Sequence, residues 1–313
     1  MNYRTAAHEA IAKAFNPARA LGYIPDADHK RRQKDSRLKF GASPAAPSQA
    51  SLISSEGPLV NQGESGHCTG AGTSQIVYTS SNAAGAPLPF FPSPKFIYAL
   101  ARILERQDAS QALTDSGAMP SDLLTVLRQY GVVPMVGTTP DGRFDDVWSA
   151  DDIVGLSTAP PPNVNEEPSL LSLETGGLKL LTGEYRVDET SFGVDAQIMS
   201  SLAGLAGKPA AAGIGIFVDT AFMNWNPASG PIDNIDLNDP QGGGHWLALT
   251  YGYTTASGLI VFGGPNSWGG SWPNGTSGPP HSPYWKPGHY EITATCLQKV
   301  MSDCLLFPVT VLP

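Results

Sequence analysis

Asn61-Gln62-Gly63-Glu64-Ser65-Gly66-His67-Cys68 is the stretch on which the reading of this chain turns. It sets a side-chain amide six residues before a thiol, among glycines that leave the backbone free to turn tightly. Far downstream, Gly242-Gly243-Gly244-His245 supplies an imidazole at the start of an apolar run, and Pro265-Asn266-Ser267-Trp268-Gly269-Gly270-Ser271-Trp272 supplies a second amide. Thiol, imidazole and orienting amide are the parts of a histidine-activated cysteine nucleophile. They occur here in the order Gln62, Cys68, His245, Asn266.

That order and wording resemble the papain-like cysteine peptidases, and bacterial and phage members with a short lead-in are the most similar. The resemblance covers residue 57 to the C-terminus. It implies an α+β fold of two lobes: a helical lobe with a central helix, roughly 57–185, and a β-barrel-like lobe, roughly 186–313. Their cleft would hold a protein or peptide substrate. Cys68 would be the nucleophile, His245 the general base and acid, Asn266 the group that orients the imidazole, and Gln62 an oxyanion donor. Trp268 would shield the His245–Asn266 bond. Asp115, Ser116, Gly117, Gly244 and Trp268 would line the substrate, and Cys304 or Leu305 would approach a specificity pocket. Peptide-bond hydrolysis through a thiolate–imidazolium pair and an acyl-enzyme follows. The alternatives are isopeptide cleavage or transpeptidation on the same machinery, and an idle structural module of a larger assembly such as a viral particle. No metal or organic cofactor is implied.

Departures from the family lie beside the nucleophile. Ser65 stands where many secreted relatives carry a cross-linked cysteine, and Val133 where bacterial ones often have cysteine. Thr69 and His67 replace the usual neighbours of the nucleophile. Three cysteines, Cys68, Cys296 and Cys304, do not make a disulfide framework. The expectation is a cytoplasmic or other reducing compartment, with virion association open. The first residues show no secretory signal pattern, and no apolar run of about 18 residues would span a membrane.

The net charge of −9 is unevenly spread. Residues 1–39 carry nine lysines and arginines against four acids, and the remainder ten against 24. Residues 1–56 therefore read as a basic, loosely ordered arm after a short amphipathic helix near the start. Such an arm would dock on the chain's own cleft, bind an acidic partner, or stay solvated and partnerless. Nucleic-acid binding has no motif to support it.

Elsewhere the pattern predicts helices at Lys95–Arg106, Ser121–Tyr130 and Val194–Leu205, and strands at Glu184–Val187, Ala210–Val218, Tyr290–Thr293 and Leu305–Val311. His245–Tyr253 and Leu259–Phe262 read as a hairpin. Propensity argues against a helix from Cys68 to Ala83, because Gly70 and Gly72 each cost about 1 kcal/mol against alanine. Only the family resemblance predicts one there. Residues 137–183 read as a long irregular insertion, and 219–243 as an acidic loop.

Overall fold

The computed structural model describes residues 22–25, 46–105, 113–135, 180–182, 185–186, 193–204, 208–273, 278–279, 282–306 and 309–311. The N-terminal amphipathic helix, most of the basic arm and most of the 137–183 insertion lie outside them.

Three helices follow the cysteine motif: α1 (Cys68–Ala83), α2 (Pro94–Glu105) and α3 (Pro120–Gln129). Packing overrides propensity in α1. A Cβ on Gly70 would sit 2.2 Å from the Pro94 carbonyl oxygen, and one on Gly72 would sit 2.8 Å from the Trp246 indole. The glycines let α1 approach α2 on one side and the sheet on the other, and that burial outweighs their poor propensity. Proline opens both α2 and α3, where a missing N–H costs nothing.

The strands are β1 (Gln49–Ser51), β2 (Leu180–Thr182), β3 (Tyr185–Arg186), β4 (Ala212–Val218), β5 (Gly243–Leu249), β6 (Tyr251–Thr254), β7 (Ile260–Pro265), β8 (His289–Thr293), β9 (Met301–Leu306) and β10 (Val309–Val311). They form two four-stranded antiparallel sheets, β3-β9-β4-β5 and β1-β6-β7-β8, and a two-stranded ribbon, β10-β2. None of these sheets closes into a barrel. Three further α-helices are α4 (Val194–Leu202), α5 (Thr220–Met223) and α6 (Ala294–Val300), and short 3-10 turns lie at Ile53–Ser55 and Pro227–Ser229.

Several expectations are corrected. The strand through His245 breaks at Thr250: β5 pairs with β4, and the hairpin is β6–β7. The expected 305–311 strand is two strands, β9 and β10, in different sheets. Residues 180–182, read as irregular, form β2, and 220–223 within the acidic loop form α5, capped by the Asp219 carboxylate on Phe222 N–H. The arm is ordered at its end, where β1 adds an edge strand to β6 and Leu52 enters the core.

All three cysteines are buried, and none is in a disulfide. No helix among the described residues is long and apolar enough to cross a membrane.

Candidate active site

Cys68 is the first residue of α1, so its thiol sits where the helix dipole favours negative charge. α1 packs against β5, which carries His245 opposite Ile216 of β4. The Cys68 sulfur lies within reach of the backbone N–H of Trp246, the residue after His245, and of Gly22. The helix that begins with the thiol thus packs against the strand that carries the imidazole.

The protonation state of His245 follows from its partners. Its Nε2 lies 2.8 Å from Asn266 Oδ1, which also accepts from Ser267 N–H at 2.7 Å. The backbone donor fixes that atom as oxygen, so Nε2 must carry the proton. Nδ1 is then left with a lone pair, buried and without a hydrogen-bond partner among the described residues. Trp268 stacks on the imidazole with ring centroids 4.8 Å apart and 23° between planes. Trp272 and Phe222 hold Trp268 edge-on from behind.

Gln62 reaches the same place by a different route. Its backbone N–H donates to Ser267 O at 2.7 Å, Gly269 N–H donates to Val60 O at 3.0 Å, and Asn61 bridges to Trp268. The loop before Cys68 is thereby stitched to the loop carrying Asn266. Gln62 Nε2 donates to Ser65 O at 2.7 Å, and its Oε1 accepts from the Ser267 hydroxyl.

The other expected residues divide. Asp115 is a structural clamp: it accepts from Gly66 N–H at 2.8 Å and from the Tyr98 hydroxyl at 2.6 Å. Ser116 bonds back to Thr114, and Gly244 pairs with Phe217 within the sheet. Gly117 has φ +86°, and a Cβ there would meet the Gly22 carbonyl oxygen at 2.6 Å. The backbone contact falls one residue later: Ala118 N–H donates to Gly22 O at 2.9 Å, and Ile24 N–H donates to Ala118 O at 3.2 Å. His67, adjacent to Cys68, turns its Nδ1 to Ser65 Oγ.

Residues 22–25 therefore lie across the site. Gly22 abuts Gly66 so closely that a Cβ would overlap the Gly66 carbonyl oxygen, and Tyr23 is completely buried. Cys68 and His245 are buried as well. Burial pushes the Cys68 thiol up to about 12 and pulls His245 down to about 4, against the opposing help of Asn266. In this occluded state the pair is neutral thiol and neutral imidazole. His67 is likewise held neutral, at about 3, by burial and by the nearby Arg102 charge. Among the described residues no cluster of His, Cys, Asp or Glu could hold a metal ion.

No protein-family model and no curated protein matches the chain. Solved structures do. Xylellain, a cysteine protease from Xylella fastidiosa, superposes with a TM-score of 0.60 at 19% identity, over 93% of this chain and 96% of that one. A procathepsin B from Trypanosoma congolense gives 0.56 at 12% identity, over 96% and 89%. The fold is papain-like. A digestive procathepsin L2 from Tenebrio molitor larval midgut, at 0.55 and 16% identity over 93% and 78%, has the same papain-like form.

The sequence reading missed Ala118, Ser267, Gly22 and Tyr23. A signal for the last two was present: Gly215 interrupts a fully buried apolar strand, which marks a close approach by something else.

Proposed function

We propose that this protein is a cysteine peptidase whose described form is latent. Cys68 attacks a peptide carbonyl, His245 Nδ1 takes the thiol proton and returns it to the leaving amine, and water releases the acyl-enzyme. Asn266 is a positioning residue that holds the Nε2–H tautomer. Gln62 and the Cys68 backbone N–H serve the oxyanion, where one donor is worth about 3 kcal/mol. Residues 57–313 form the catalytic unit, and residues 22–25 of the preceding arm cover it.

One observation carries the reading: a buried imidazole whose Nε2–H is held by Asn266 and covered by Trp268, leaving Nδ1 unpartnered among the described residues, on the strand against which a helix beginning with Cys68 packs. Core packing alone does not require an unsatisfied base there. Latency rests on the arm. Gly22 turns its N–H toward the Cys68 sulfur and its carbonyl toward Ala118, which places the segment directly over the thiol.

The test is intact-mass labelling with an epoxysuccinyl inactivator on the full chain and on a Gly22→Val chain, followed by turnover of a peptide library. One adduct at Cys68 is expected, absent in Cys68→Ala and slowed at least about a hundredfold in His245→Ala. Equal labelling rates with and without His245 would overturn the reading.

A further inference from the structure

The segment that covers the site also fills a side-chain pocket, and the chemistry of that pocket is specific. Tyr23 lies with its ring over Gly215 in the middle of β4, where a Cβ would fall 2.2 Å from the ring carbon bearing the hydroxyl. The Trp246 indole forms a wall, at a centroid distance of 5.8 Å. At the far end, the phenol donates to the Asp303 carboxylate and lies 2.5 Å from Ser302 Oγ. Ser302 in turn donates to Gly215 O at 3.3 Å. Tyr23, Asp303 and Ser302 are all at least nine-tenths buried.

We propose that this pocket is the side-chain specificity site of the peptidase and that it selects tyrosine through Asp303. The inference rests on the peptidase reading above. Three features make the pocket a site rather than a packing accident. Gly215 leaves room for the ring at the one place where a side chain on β4 would strike its hydroxyl end. The backbone on either side of Tyr23 is held by both hydrogen-bonding groups of Ala118, a pairing that any extended peptide can reproduce. The pocket's end is a carboxylate, which accepts hydrogen bonds and donates none when ionised. A phenylalanine ring would fill the same space but would leave that carboxylate without the phenol, and a site built around a hydroxyl discriminates strongly against the analogue lacking it. Leucine would leave the ring space partly empty as well. Cys304, the expected neighbour of the pocket, pairs with Ile214 one position along the strand, so its side chain points to the opposite face of the sheet.

The experiment uses the full chain carrying Gly22→Val, which displaces the arm and leaves every pocket residue intact. N-acetylated peptides differing only by Tyr, Phe, Leu or Arg at one position are compared. Their binding is measured on the additional Cys68→Ala variant, and kcat/KM on the chain with Cys68. Tyrosine is expected to exceed phenylalanine at least tenfold in both, and Asp303→Ala is expected to bring the ratio near one. Equal use of Tyr and Phe, preference for Leu or Arg, or a ratio unchanged by Asp303→Ala overturns the assignment. Turnover without tyrosine preference defeats the pocket proposal alone. Tyrosine-selective binding with no turnover of any peptide defeats the peptidase reading and leaves the pocket standing. Should Asp303→Ala fail to fold, Tyr23→Phe in the otherwise unaltered chain decides between the outcomes. It is expected to raise the Cys68 alkylation rate at least tenfold, and an unchanged rate overturns the proposal.

Discussion

Ser267, one residue past the amide that holds His245, donates its hydroxyl to Gln62 Oε1, 205 positions earlier in the chain. The candidate oxyanion donor is thus tied, through its side chain and its backbone N–H, to the residue that follows the candidate imidazole-orienting Asn266. Ser267→Ala is expected to lower kcat by about tenfold with KM nearly unchanged, because it loosens the groups proposed to act in the transition state. Ser267→Thr should restore much of it.

Removing the arm's contact should change the chemistry of the thiol. In the unaltered chain burial holds Cys68 at about 12, so alkylation should climb with pH throughout the alkaline range. Gly22→Val places a side chain where the Gly66 carbonyl oxygen already lies. It should move the alkylation midpoint down to or below the ordinary thiol value near 8.5. A pH–rate profile by intact mass checks this.

Gly70→Ala sets helix propensity against packing. Propensity alone would gain about 1 kcal/mol, but a methyl 2.2 Å from the Pro94 carbonyl oxygen must displace α2. Net destabilisation of about 2 kcal/mol is expected by chemical denaturation.

Stability should fall on mild acidification. His67 and His245 have folded values of about 3 and 4, below the unfolded 6.5. The unfolded chain therefore takes up protons first, and stability present above pH 6.5 is lost as pH falls toward 4. The slope is on the order of 1 kcal/mol per pH unit for each histidine. Below 4.5 a further loss comes from Glu56. Burial raises its carboxyl, but His289 and Lys286 together lower it more. Melting temperatures across pH 4–8 test this, and His67→Asn should remove about half of the slope between 6.5 and 4.

Glu56 also bears on where the arm ends. Its carboxylate joins Lys286 at 2.8 Å, His289 at 2.9 Å and Thr250 at 2.5 Å. Glu56→Ala should cost about 3 kcal/mol, because partners are left buried without it. A chain truncated at residue 57 should be less stable than one truncated at residue 46, which keeps both Glu56 and β1; thermal melts of the two compare them directly.

The sequence by itself determined the identity of the chemical groups and most helices. Cysteine, histidine and two amides in a distinctive wording are covalent facts, and the apolar periodicity of α2 and α3 is local. It did not determine α1, whose glycines look unfavourable until α2 and Trp246 are placed beside them. Nor did it determine that the run from His245 to Tyr253 divides at Thr250, with β5 pairing with β4 and β6 with β7. The tautomer of His245, the clamp role of Asp115, the Ser267–Gln62 bond and the burial of Tyr23 over Gly215 depend on groups up to 280 residues apart. Such contacts leave no local pattern, because the strands and loops that form them are ordered only when the whole core closes. Tertiary structure alone decided whether the candidate pair, Cys68 and His245, lies open or buried, and burial sets its charge.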